Sequence, residues 1–181
     1  MGGPSLRRFF INTLFDSTFM LLGVVIASAF EGTPDLHLVL GTLVASSASL
    51  GISSGVSVYE SETLELDRRI VELEKALFRN LDNTMISENH KSSARMIATV
   101  NFLTPLICCG IVSVPLLLAT GNLLDSVSAS WVSTVLALSI LFVAGTFLGR
   151  RGKKNAFLKG LRMLIFGIIA FLLSFLIQIL I

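Results

Sequence analysis

Two histidines, two cysteines, one tryptophan and one tyrosine are all that 181 residues contain of those types, and the shortage closes off several kinds of chemistry. Only His37 and His90 are available as imidazoles, and the sequence shows no serine–histidine–aspartate set around either. Cys108 and Cys109 are adjacent and fall in the middle of an apolar run, a spacing that makes neither a structural disulfide nor a metal clip. They read as helix-packing residues. No glycine-rich loop of the phosphate-cradling type is present. Basic residues are not interleaved with aromatics, so nucleic acid is excluded as a partner. The chain reads as a non-enzyme with no resident cofactor.

What is abundant is hydrocarbon. Hydrophobic residues make up 53% of the chain and the mean hydropathy is +0.82, too apolar for an ordinary soluble domain of this size. A membrane span needs roughly 20 mostly apolar residues. Five stretches qualify: about Phe9 to Phe30, Leu36 to Tyr59, Val100 to Thr120, Val127 to Gly149 and Leu161 to Ile181. Each run is continuous rather than alternating, which predicts helices and not barrel strands. The fold class is therefore an all-α integral membrane protein with five transmembrane helices.

The 14 lysines and arginines exceed the 12 acidic residues by only two, but their placement is one-sided. Arg7 and Arg8 precede the first span. Arg68, Arg69, Lys75, Arg79, Lys91 and Arg95 lie between the second and third, and Arg150, Arg151, Lys153, Lys154, Lys159 and Arg162 between the fourth and fifth. The opposite loops carry only Glu31, Asp35 and Asp125. The positive-inside rule then predicts a multi-pass protein of the cell membrane with its amino terminus cytoplasmic and its carboxyl terminus outside. Arg7, Arg8, the apolar run and Ala27-Ser28-Ala29 also imitate a signal peptide; the length of the run and Asp16 within it argue against cleavage.

Three segments follow: a hairpin of spans one and two over residues 1–59, turned by Gly32-Thr33-Pro34-Asp35; a cytoplasmic amphipathic, acidic helical segment over 60–96; and spans three to five over 97–181. In span two, Gly41, Ala45, Ser49, Ser53 and Ser57 recur every fourth residue, with Ser47, Gly51 and Gly55 beside them. Stripes without bulk let helices approach closely in lipid and predict association, including a homodimer. The helix then runs into the arm, where Leu66, Ile70, Leu73, Leu77 and Leu81 form a seam at intervals of four and three. Glu62, Glu65 and Glu72 share a flank, an arrangement of oxygens suited to divalent cations or, with Arg68, Arg69, Lys75 and Arg79 interspersed, a solvated ion-paired face. Met85, Glu88 and His90 lie in a polar stretch expected to break the helix.

Asp16 is the one acidic residue inside a predicted span. Counted from Phe9 at about 1.5 Å per residue, it lies roughly 10 Å below the cytoplasmic edge. A carboxylate costs about 2.5–3.5 kcal/mol at the centre of a membrane helix, so it should face protein, a partner or a wet cavity. It reads either as a cation or proton site or as a carboxyl satisfied by Asn12, Thr13, Ser17 or Thr18. Pro105 and Pro115 kink span three, each freeing a backbone carbonyl, as in broken helices that line transport sites. Span four is ordinary apart from Trp131, an interface anchor; span five offers only Gly167 and Ala170 as a packing patch. The basic loop before span five is suited to contact with anionic lipid headgroups.

These features together resemble the vacuolar iron transporter family: Asp16 in span one, GTLVASSASLGISSGVSVYESETLE running into an acidic helix, GIVSVPLLL in span three, and LGRRGKKNAFLKGLRMLIFG before span five. The resemblance covers most of the chain and implies a dimeric five-span protein that moves ferrous or manganous ions out of the cytosol, with Asp16, Ser49 and Ser53 in the pathway and Glu62, Glu65, Glu72 and Glu88 as metal ligands. This chain departs from the family pattern at Ser17, where glycine is usual, at Leu50, where a methionine ligand is usual, and at Ser54, near a usual glutamate. Losing the thioether shifts any site toward harder oxygen ligands. Two functions stand at this point: a homodimeric Fe²⁺ or Mn²⁺ exporter, by proton exchange in one version, or a membrane scaffold whose arm binds a protein partner.

Overall fold

The computed structural model describes residues 3–30, 34–77, 85–121, 123–150 and 156–180; for residues 3–5, 76–77, 85–91, 150 and 179 it describes the backbone alone. The described residues form α1 (Gly3–Phe30), α2 (Leu36–Leu77), α3 (Met85–Thr120), α4 (Ser126–Arg150) and α5 (Ala156–Leu180). All five are long and apolar enough to cross a membrane. In hydrocarbon the backbone must satisfy its own hydrogen bonds, and helices do this segment by segment.

Helix ends are set locally. Asp35 caps α2, its Oδ1 accepting from the backbone N–H of His37 at 3.0 Å and of Leu38 at 3.2 Å. Ahead of α4, the N–H of Ala129 donates to the carbonyl of Asp125. No such stop interrupts α2 where the apolar run gives way to charge at Tyr59, so the helix continues for 42 residues, roughly 63 Å and about twice a bilayer core.

The polar stretch expected to break the helix lies where one helix gives way to the next: α2 ends at Leu77, residues 78–84 are outside the described residues, and Met85 to His90 begin α3. α3 packs more extensively on α2 than any other two helices do on each other. Gly51 and Gly55 permit that approach. A Cβ at Gly51 would lie 2.7 Å from the Phe102 carbonyl oxygen, and one at Gly55 3.2 Å from the Phe102 Cβ.

The centre of the bundle is α1, which touches each of the other four helices. Leu21, Leu22, Val25 and Ile26 are fully buried with Leu43 of α2, Val112 and Leu116 of α3 and Ala137 of α4. Span four is less ordinary than its sequence: a Cβ at Gly145 would come within 2.9 Å of the Gly160 Cα, so α4 and α5 meet at backbone contact distance. At the far end, Phe30, Trp131, Phe171 and Phe175 cluster, with Trp131 edge-on to Phe30 at 5.4 Å.

Candidate functional site

Asp16 lies ten residues into a span that starts at Leu6, about 15 Å along the helix and deeper than a start at Phe9 implies. Its side chain is exposed on the outside of the bundle. Asn12, one turn earlier and also exposed, donates to its Oδ2 at 3.3 Å. The other three candidate partners turn away. Thr13 donates to Asn101 Oδ1 at 2.8 Å, Ser17 to the carbonyl of Thr13, and Thr18 to the carbonyl of Leu14. The chain thus buries its neutral hydroxyls and leaves the carboxylate on the surface of a membrane helix, where lipid alone would be a costly neighbour.

Asn12, Asp16, Gly23 and Ala27 share one stripe of α1. A groove of about 490 Å³, lined by Arg7, Arg8, Ile11, Asn12, Phe15 and Leu148, lies at one end of that helix. Another of about 480 Å³, lined by Gly23, Ala27, Ser174, Ile177 and Gln178, lies at the other. Gln178 Nε2 reaches the Ala27 carbonyl at 3.3 Å there. Asp16 falls between the two grooves in sequence.

The two small-residue stripes of α2 have different surroundings. Ser47, Gly51 and Gly55 are buried, whereas Gly41, Ala45, Ser49, Ser53 and Ser57 are exposed. A Cβ at Gly41 would meet nothing within 4 Å. One stripe is therefore occupied by α3, and the other is open.

Glu62, Glu65 and Glu72 all lie on α2 beyond Tyr59, with Glu65 ion-paired to Arg69 at 3.1 Å. Among the described residues, no three of His, Cys, Asp and Glu come close enough to hold a metal ion. Glu88 belongs to α3, but its side chain lies outside the described residues, as does that of His90. Leu66 and Ile70 are half-buried and Leu73 is exposed, while Leu81 is outside the described residues.

Sequence reasoning passed over Asn101. It is fully buried, holds Thr13 through Oδ1 and donates from Nδ2 to the Ile97 carbonyl at 2.8 Å. Its carbonyl is the one that Pro105, four residues on, cannot serve, and Ser54 of α2 donates to it at 3.2 Å. The Asn101–Pro105 turn of α3 is thereby stitched to both α1 and α2. An asparagine in an apolar span is itself a signal of interhelical bonding, which the neighbouring prolines overshadowed. Ser47 and Ser133 carry buried hydroxyl oxygens with no hydrogen-bond partner among the described residues.

A five-helix membrane bundle with a carboxylate on its central helix and an overlong second helix defines a class of small multi-pass membrane proteins. The chain belongs to the VIT family, the vacuolar iron transporters, whose family model matches residues 70–178. That match runs from the arm of α2 through α5, so Asp16, Ser49 and Ser53 precede it. An uncharacterized protein of Methanocaldococcus jannaschii is 23% identical over 181 residues, covering 98% of this chain and 91% of the relative. No solved structure matches.

Proposed function

We propose that the protein is a homodimeric transporter of divalent metal cations, Fe²⁺ or Mn²⁺, carrying them out of the cytoplasm between two copies of α1. One observation carries this reading: in a chain of a metal-transporter family, Asp16 stands on the open face of a membrane span with Asn12 as its partner. A carboxylate so placed is stabilised if a second copy covers it and a cation or proton visits it. The open stripe of Gly41, Ala45, Ser49, Ser53 and Ser57 supplies a surface that a second copy could approach closely.

In this mechanism the arm of α2 gathers the ion at the cytoplasmic face. Glu62, Glu65, Glu72 and Glu88 provide oxygen ligands, which suit a harder divalent ion. No three of the described carboxylates meet within one protomer, so the ligand sphere is completed by the second copy's arm or by water. Asp16 then takes the ion from the arm, with Ser49 and Ser53 as polar stations on α2. If export is coupled to protons, Asp16 is the group that exchanges one for the other.

The test is flux. Proteoliposomes containing the protein and a trapped metal indicator should take up or release Fe²⁺ or Mn²⁺ down an imposed gradient, and Asp16→Ala should reduce this to the rate of empty liposomes. Undiminished flux in Asp16→Ala would end this mechanism. The scaffold reading has its own support in the Glu65–Arg69 pair, the arrangement of a solvated face. Calorimetric titration with Fe²⁺, Mn²⁺, Co²⁺ and Mg²⁺ separates the two readings, since a scaffold should bind none of them saturably.

A further inference from the structure

On the side of α1 that faces α3 and α4 is a groove of about 490 Å³, lined by Ile11 and Leu14 of α1, Ile111 of α3, and Leu136, Val143 and Phe147 of α4, among others. It offers nothing to an ion. Ser139 is the one hydroxyl-bearing residue in its lining, and that hydroxyl already donates to the Val135 carbonyl at 2.8 Å. The occupant of such a groove in a membrane is hydrocarbon.

Two further features narrow the occupant. From Leu136 to Phe147 the groove follows α4 for about 16 Å, close to half of a bilayer core of about 30 Å. It ends near the terminus of α4 at Arg150 and not at both faces, so its depth is that of one leaflet. At that same end, Arg7 stands on the stripe of α1 that continues into Ile11 and Leu14, and Ile11 also lines the groove beside Arg7 and Arg8. Both arginines are exposed, Arg8 resting its guanidinium over the Phe9 ring at 5.0 Å. Among the described residues neither is in an ion pair.

We propose that this groove binds one anionic glycerophospholipid, with an acyl chain along α4 and the phosphate held by Arg7 and Arg8. A guanidinium pair binds phosphate by charge-assisted and bidentate hydrogen bonds, and its position at the head of a one-leaflet apolar slot selects a lipid over a soluble anion. A transmembrane helix of a second copy would need a slot through the full thickness. The assignment is independent of what the protein transports.

Native mass spectrometry of the purified protein, offered equal amounts of phosphatidylglycerol and phosphatidylcholine with identical acyl chains, reads the site directly. The expected result is retention of one phosphatidylglycerol per chain in several-fold preference. The pair Arg7→Gln and Arg8→Gln should abolish the preference, while Arg7→Lys with Arg8→Lys keeps part of it. Val143→Trp, at a position 62% exposed and so tolerant of a larger side chain, should fill the slot and release the lipid; Val143→Phe is the milder version if the first does not fold by circular dichroism. Equal retention of both lipids, a preference that survives the two glutamines, or retention unchanged by the slot-filling variants would each overturn the assignment. Loss of the dimer with Val143→Trp would also overturn it, in favour of a second copy as the occupant.

Discussion

At Asn101 three helices are joined through one residue. Its side chain holds Thr13 of α1, and its carbonyl, released by Pro105, takes the hydroxyl of Ser54 from α2. Interhelical hydrogen bonds in membranes contribute about 0.6 kcal/mol on average and up to about 1.7. Thr13→Val should therefore destabilise the protein by roughly that range in denaturant unfolding from mixed micelles. Ser54→Ala should do the same, but less in a Pro105→Ala background, because alanine restores the N–H that serves the Asn101 carbonyl. A double-mutant cycle showing no coupling between Ser54 and Pro105 would refute this account. Asp16 is different in kind: Asp16→Asn keeps the shape and removes the charge, and should leave unfolding stability near that of the parent while stopping flux.

Among the elements, α2 has two faces that a single substitution can tell apart. Gly51 is pressed against backbone of α3, which cannot move aside as a side chain can, so Gly51→Leu should cost at least the 1–3 kcal/mol typical of overpacking. Gly41 faces open space, so Gly41→Leu should leave protomer stability unchanged and weaken self-association, seen as a shift toward monomer in light scattering from detergent solution. Equal effects of the two substitutions on unfolding would show that the faces are not distinct.

For the whole molecule, the placement of all 14 basic residues on one side of the five spans predicts orientation. Reporter fusions should show the amino terminus facing the cytoplasm and the carboxyl terminus facing out. A carboxyl-terminal reporter active in the cytoplasm would reverse the proposed direction of transport. Within the bundle, α1 is central and two-sided: the core is built on Leu21, Leu22, Val25 and Ile26, while Asn12 and Asp16 look away from it. The same helix thus provides the core on one side and the candidate pathway on the other.

By itself the sequence determined that the chain has five apolar helices, where the charges lie between them, and that Asp16 is out of place in lipid, because span length, continuity and charge are properties of single segments. Charge placement and the stripe of small residues could likewise be read along one helix. Only the tertiary structure decided which stripe of α2 is filled and which is open, that Asp16 faces outward while Thr13, Ser17 and Thr18 turn inward, that Ser54 answers the carbonyl freed by Pro105, and that Gly145 and Gly160 bring α4 and α5 into backbone contact. In hydrocarbon, apolar surface gains almost nothing by choosing protein over lipid, so hydropathy carries no information about partners. The choice rests on close backbone approach and a few hydrogen bonds, and both depend on how neighbouring helices are rotated against one another.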